Sequence, residues 1–216
     1  MPNPAISEYA PQSFRHLYII SGPSGVGKAS VIRSLLETTS LRKVVNFTTR
    51  PPRESEEPGV DYHFVKPPEF ETLYRKGLIA EFEKVYDDFC YGSPALSYSP
   101  NGPDRLIELD PNGRRFFVER HGPYVTSIFL LPPSLEQLRL RIQSRQPETN
   151  LNRRLQTALA QIACAKEYDY IVLNESLTKA ATVAASIVAV VQVSLNRESI
   201  LRLVDDLLST QQGPPP

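Results

Sequence analysis

The chain has 216 residues, 41% of them hydrophobic and 22% charged, enough to bury one substantial core, so one globular domain is the expectation. Lysine plus arginine and aspartate plus glutamate each total 24, for a formal net charge of zero; this excludes nucleic-acid or anionic-membrane binding through bulk charge and leaves any anion site to be local. The two cysteines, Cys90 and Cys164, have no metal-ligand spacing and are too few for a disulfide scaffold, which points to a reducing compartment and a cytoplasmic protein.

Residues 1–13 contain Pro, Ser and Glu but no apolar run of signal-peptide length, and read as a flexible N-terminal extension. The run HLYIISG at 16–22 suits a buried parallel strand, and KASVIRSLLETTS at 28–40 continues it with helical apolar spacing. Residues 48–100 differ: rich in Pro, Tyr, Glu and Arg, they read as a smaller insertion of irregular and strand structure that would hold a second substrate. Three more apolar runs, RLIELD at 105–110, TSIFLL at 126–131 and DYIVLN at 169–174, read as strands, with helices expected over 133–145, 152–167 and 177–195. Strands alternating with helices predict an α/β core around a parallel sheet. The most apolar stretch, 182–195, is too short to span a bilayer and is interrupted by Ser186, Gln192 and Ser194. The final residues, STQQGPPP, have the composition of a disordered tail.

Between the first strand and helix stands GPSGVGKAS, residues 22–30. The pattern Gly-x-x-x-x-Gly-Lys in that context lets backbone N–H groups, a helix N-terminus and a lysine charge surround a polyphosphate. Gly22, Ser24, Gly25, Val26, Gly27, Lys28, Ala29 and Ser30 are therefore the candidate ATP-binding loop. Ala29 stands where Ser or Thr would offer an oxygen to Mg²⁺, with Ser30 one place later. Because Mg²⁺ readily keeps phosphate and water ligands, Ala29 is compatible with catalysis. The three histidines, His16, His63 and His121, show no spacing for metal or triad chemistry, and the acidic run at 54–57 reads as a solvated loop tip.

Taken in order, GPSGVGK, TTRPPRESEEPGVDYHFV, IAEFEKVYDDFCYGSP, LLPPSLEQLRLRIQSR and YDYIVLNE make the chain from about residue 16 to 195 resemble the guanylate kinases. The resemblance implies a P-loop core with a central parallel β-sheet flanked by helices, a GMP-binding insertion of mixed strands, and a short lid. It sets a kinase-like domain at 14–205, with core 14–45 and 105–205, insertion 46–104, lid about 143–153, and a tail at 206–216. It also implies transfer of the γ-phosphate of ATP, accompanied by Mg²⁺, to GMP or dGMP, in purine nucleotide metabolism. No nucleic-acid or membrane partner is implied.

Residue by residue, the resemblance assigns Arg50 and Arg53 to the GMP phosphate, where planar guanidinium groups can give bidentate bonds. Tyr62 and Tyr91 would complete that phosphate site, Glu81 would read guanine N1–H and the exocyclic amine, and Ser93 would meet guanine O6. Asn46 stands where the family usually has serine, with an amide that can still donate. Glu108 and Asp110 match the acidic pair near GMP and the metal, Asp110 as an outer-shell group, and Asn174 resembles the polar residue beside adenine. Lys28 would bridge the β and γ phosphates, while Arg145 and Arg154, more than Arg141, match arginines that close over the transferring group.

This chain departs from the pattern in its proline-rich segment 91–110, in a shortened lid with Gln146 and Pro147, and in Asn112-Gly113 replacing a Gln-Gly pair. Those changes, with Ala29, motivate an alternative expectation: a weak or inactive kinase-like domain that senses nucleotide or binds a protein partner.

Overall fold

The sequence LYIIS over Leu17–Ser21 is buried at every position, as a strand covered on both faces must be. In the computed structural model, which describes residue 9 and residues 11–85, 89–145 and 151–195, it is the middle of a parallel five-stranded sheet. The elements in order are β1 Gln12–Phe14, β2 Leu17–Ser21, α1 Lys28–Thr38, β3 Arg42–Lys43, β4 Asn46–Thr48, β5 Tyr62–Phe64, α2 Pro67–Arg75, β6 Ile79–Val85, β7 Phe89–Pro94 and β8 Leu96–Tyr98. They continue with β9 Arg105–Glu108, α3 Pro111–His121, β10 Val125–Leu131, α4 Leu135–Arg145, α5 Leu151–Ala163, β11 Tyr170–Leu173 and α6 Leu177–Leu195.

The central sheet runs β11-β10-β2-β9-β3, every pair parallel. Alternation along its strands sends side chains to two cores. Tyr18, Ile20, Leu106, Ile128 and Leu130 meet Val31, Ile32 and Leu35 of α1 and Ala180, Ala184 and Val188 of α6 on one side. Leu17, Ile19 and Ile107 meet Phe117 of α3 and Phe14 on the other. The four strands expected from apolar runs are thus present, as four of the five strands of the sheet, with β11 at one edge. Every loop that follows β2, β9, β10 or β11 emerges at the strands' C-terminal edge, where ligands of open α/β sheets bind.

The second expected region is a mixed four-stranded sheet, β5-β4-β7-β6, in which β4 pairs parallel with β5 and antiparallel with β7. It also holds a helix that its Pro-rich composition hid. Pro67 and Pro68 begin α2, where proline suits the first turn, and Phe70 and Leu73 bury against Phe47, Val65 and Ile79. The proline-rich stretch after β7 forms β8 and a turn.

Three further expectations change. Residues 12 and 13 are not loose: they belong to β1, parallel to β8, and Tyr9 packs edge-on against Phe47 and His63. The apolar stretch 182–195 is part of a 19-residue helix, α6, long and apolar enough by length and composition to cross a membrane. That composition has a local cause in the described fold, since Ala180, Ala184 and Val188 form the face that packs on α1, while Val190 and Val193 remain exposed. Finally, α5 stops at Ala163 and gives way to a 3₁₀ turn over Cys164–Glu167, where one helix over 152–167 is expected.

Candidate active site

The loop after β2 turns through three glycines with positive φ, and two of them have no alternative. A Cβ on Gly22 would lie 2.6 Å from the Leu130 carbonyl oxygen, and one on Gly27 would lie 2.7 Å from Asn174 Nδ2. Gly27, at φ 103°, caps α1, whose first residue is Lys28. The helix N-terminus and the lysine therefore share one anion-binding corner. Lys28 Nζ donates to the carbonyls of Gly22 at 2.7 Å and Pro23 at 3.3 Å, and lies 3.6 Å from Glu108 Oε1. Val26 is fully buried beneath the loop, and Ala29 is exposed in the first turn of α1 beside half-buried Ser30.

Three other elements hold this loop. Asn174, past the end of β11, is buried and donates from Nδ2 to the Val26 carbonyl at 2.6 Å, while its Oδ1 has no partner. From the helices after β10, Arg154 Nη2 donates to Ser24 Oγ at 2.8 Å and Arg141 Nη1 reaches the Val26 carbonyl at 3.4 Å. Arg154 thus stands at the phosphate loop. Arg141, the weaker match of the three arginines, stands there too. The side chain of Arg145 and the lid residues 146–150 lie outside the described residues.

The insertion faces this corner with two sets of polar groups. At the first, Arg50 donates from Nε to Tyr91 Oη at 3.0 Å and from both Nη atoms to Glu56, at 2.8 and 2.9 Å. The Arg50 guanidinium lies 5.6 Å from the Tyr62 ring centroid, and the Tyr62 and Tyr91 rings meet edge-on at 5.9 Å. Burial raises the Tyr62 hydroxyl pKa above its ordinary value, so it stays a donor. Arg53, more exposed, approaches Glu56 at 3.5 Å. Arg50, Arg53, Tyr62 and Tyr91 lie in one cluster, and Glu56, read as part of a solvated tip, is only 13% exposed and sits among them. Its signal in the sequence was its spacing, three residues after Arg53 and six after Arg50, masked by three neighbouring acidic or polar residues.

At the second set, alternation along β6 puts Glu81 and Glu83 on one face. Ser93 Oγ donates to Glu81 Oε1, and burial raises the Glu81 carboxyl above the usual range, with the Ser93 bond opposing it. Asp110 caps α3, accepting from Gly113 N at 2.8 Å. A Cβ on Gly113 would meet Asp110 Oδ1 at 3.1 Å and Glu81 Oε1 at 3.2 Å, so both carboxyls lie over the positive end of α3. Glu83 was not foreseen. A hydrogen bond with Asp110, with burial second, pushes its carboxyl up to about 8, and Asn112 Nδ2 donates to it at 3.2 Å. Asn46 is positioned differently from the expected donor. Its Nδ2 is engaged by the Glu108 carbonyl at 2.6 Å, leaving a buried Oδ1 without a partner.

No group of three or more His, Cys, Asp or Glu among the described residues is arranged to hold a metal ion. Glu108, about one-third exposed beside Lys28, and Asp110, two residues on, offer hard oxygen donors that fit a divalent cation carried mainly by phosphate and water. The histidines sit elsewhere: His16 against Thr126, His63 against Tyr9 and Phe47, and His121 against Phe14.

Residues 14–190 match the family model described as guanylate kinase. A guanylate kinase of Syntrophotalea carbinolica is 38% identical over 178 residues, 80% of this chain and 84% of that relative. The guanylate kinase of Methylococcus capsulatus is 34% identical over 200 residues, 89% of this chain and 97% of that protein. The crystal structure of guanylate kinase from Anaplasma phagocytophilum superposes with a TM-score of 0.69 at 32% identity, covering 84% of this chain and 88% of that one. A phosphate loop held from three sides, two arginines with two tyrosines, and Glu81 bonded to Ser93 thus occur in a chain that belongs to the guanylate kinase family.

Proposed function

We propose that the chain transfers the γ-phosphate of ATP to GMP, releasing ADP and GDP. The observation that carries this reading is that Lys28, at the N-terminus of α1, lies 3.6 Å from Glu108, and the Glu108 carbonyl is bonded by Asn46 of the insertion. One short path of contacts thus joins the phosphate loop to the acceptor pocket. ATP would lie with its polyphosphate against Gly22, Gly25, Gly27 and Lys28. GMP would enter from the insertion, phosphate toward Arg50, Arg53, Tyr62 and Tyr91, base toward Glu81 and Ser93.

Phosphoryl transfer needs alignment and charge stabilisation more than a strong base. Lys28, held by the Gly22 and Pro23 carbonyls, supplies one positive charge at the donor, and Arg154, bonded to Ser24, supplies another from α5. Mg²⁺ bound with ATP would neutralise phosphate charge, and Glu108 and Asp110 are the residues that would stand around its water shell. Glu81 supports guanine over adenine because a carboxylate accepts from two adjacent donors that adenine does not present together. The location proposed is the cytoplasm, where Cys90 and Cys164 would remain free thiols.

The assay is ADP release from MgATP with GMP. Lys28→Ala is expected to lower kcat by at least about 10²-fold, the effect of removing one preorganised charge-stabilising group. GMP-dependent turnover equal to that of the unsubstituted chain would contradict the assignment of Lys28.

A further inference from the structure

Resting on that reading of the acceptor site, we propose that Glu56 is a positioning residue for the acceptor's phosphate: its carboxylate holds Arg50 and Arg53 in the orientation that a phosphate monoester meets. An Arg side chain has five N–H donors. In Arg50, Nε–H goes to Tyr91, Nη1 serves both Glu56 Oε2 and the Pro51 carbonyl at 2.8 Å, and Nη2 gives one N–H to Glu56 Oε1. A single Nη2–H is left for a ligand. The phosphate thus meets an arginine whose plane is already fixed, with the Tyr91 hydroxyl on its edge and the Tyr62 ring 5.6 Å from its centre.

The opposite role for Glu56, a counter-ion that must leave before phosphate can bind, fits the geometry poorly. Glu56 closes its own turn: its carboxylate accepts from Arg53 N at 2.9 Å, and its N–H donates to the Arg53 carbonyl at 3.0 Å. Leaving would break the bidentate pair and that turn together, and uncover a carboxylate beside an incoming dianion. Remaining in place leaves two arginines against one glutamate, a local net charge of +1 that favours the phosphate. The pair with Arg50 is short and largely screened from solvent, with side-chain exposures of 10% and 13%, so it orders the guanidinium far better than a surface pair would.

The test compares the unsubstituted chain with Glu56→Gln and Glu56→Ala by titration calorimetry with GMP and with guanosine, and by steady-state kinetics. Guanosine lacks the phosphate and serves as the control for folding and for the base pocket. The expected result is GMP binding weakened about tenfold or more in Glu56→Ala, less in Glu56→Gln, which keeps one acceptor oxygen. Guanosine binding and the KM for ATP stay unchanged, and kcat moves less than the KM for GMP. Tighter GMP binding in Glu56→Gln would overturn the proposal in favour of a displaced counter-ion. An unchanged ratio of GMP to guanosine affinity would overturn it as well. If the unsubstituted chain binds GMP no more tightly than guanosine, the phosphate site itself is misassigned and the proposal falls with it.

Discussion

Asn174 shows how one side chain can serve a site it was not expected to touch in that way. The family resemblance places it beside adenine; here its buried amide supports the phosphate loop, donating to the Val26 carbonyl and standing where any side chain on Gly27 would go. Asn174→Ala removes that bond and leaves the Val26 carbonyl with only the longer contact from Arg141 Nη1, which costs about 1 kcal/mol. The expected outcome is a lower urea midpoint and a raised KM for ATP, with KM for GMP little changed; equal shifts in both KM values would argue that Asn174 does not act through the loop. Ala29 is the converse. Exposed in the first turn of α1, it packs against nothing that requires alanine, so Ala29→Ser is expected to fold normally and to alter kcat by less than about threefold if phosphate and water hold the cation. A rise of about 10² would show instead that a direct hydroxyl ligand is missing. Glu56 and Glu83 escaped the sequence reading for a shared reason: an acidic side chain at a strand or loop looks solvated until the fold brings Arg50 or Asp110 against it.

At the scale of elements, α3 carries two tasks on one residue. Asp110 caps the helix while lying beside Glu81 and Glu83 in the proposed acceptor pocket, and the two tasks separate by substitution. Asp110→Asn keeps a good cap and should retain stability while losing activity; Asp110→Ala should lose activity and also about 1 kcal/mol of stability, read from urea unfolding. Equal stability in both variants would mean the cap contributes nothing. The strands β2, β9 and β10 were legible because short apolar runs bounded by polar residues are what a covered parallel strand requires, and β11, at the sheet edge with only Val172 buried, carries the same apolar run. By contrast, α2 and α3 were not. Both begin with proline after a polar residue, and PPEF and PNG read as turns unless the cap and the buried Phe70 or Phe117 are known to face a core. The β1–β8 pair was illegible because three residues on each side carry no periodic signal, and their pairing depends on tertiary contact.

For the whole molecule, the central sheet's stability is linked to pH through His16. It is 3% exposed, its Nε2 lies 2.8 Å from Thr126 Oγ1, and burial lowers its pKa to about 4, with Arg15 adding to that and Asp104 and Asp169 opposing. Held neutral in the folded state, His16 gives a contribution that is complete above its unfolded pKa near 6.5 and is lost as pH falls through about 4. The loss amounts to about 3 kcal/mol. Urea midpoints are therefore expected to fall between pH 6.5 and 4, and His16→Gln should flatten that limb; an unchanged slope would assign the acid sensitivity to other groups. The sheet's C-terminal edge joins the phosphate loop, Glu108 and Asn174, while the mixed sheet carries Tyr62, Glu81, Tyr91 and Ser93, the proposed acceptor ligands. The central claim is that this arrangement selects and phosphorylates a guanine nucleotide. Its most direct test is ADP release from MgATP with GMP and with AMP, by the unsubstituted chain and by Glu81→Gln. Turnover with GMP far above that with AMP is expected, with a reduced ratio in Glu81→Gln. Absence of GMP-dependent turnover at saturating substrates, or an equal rate with AMP, would contradict it.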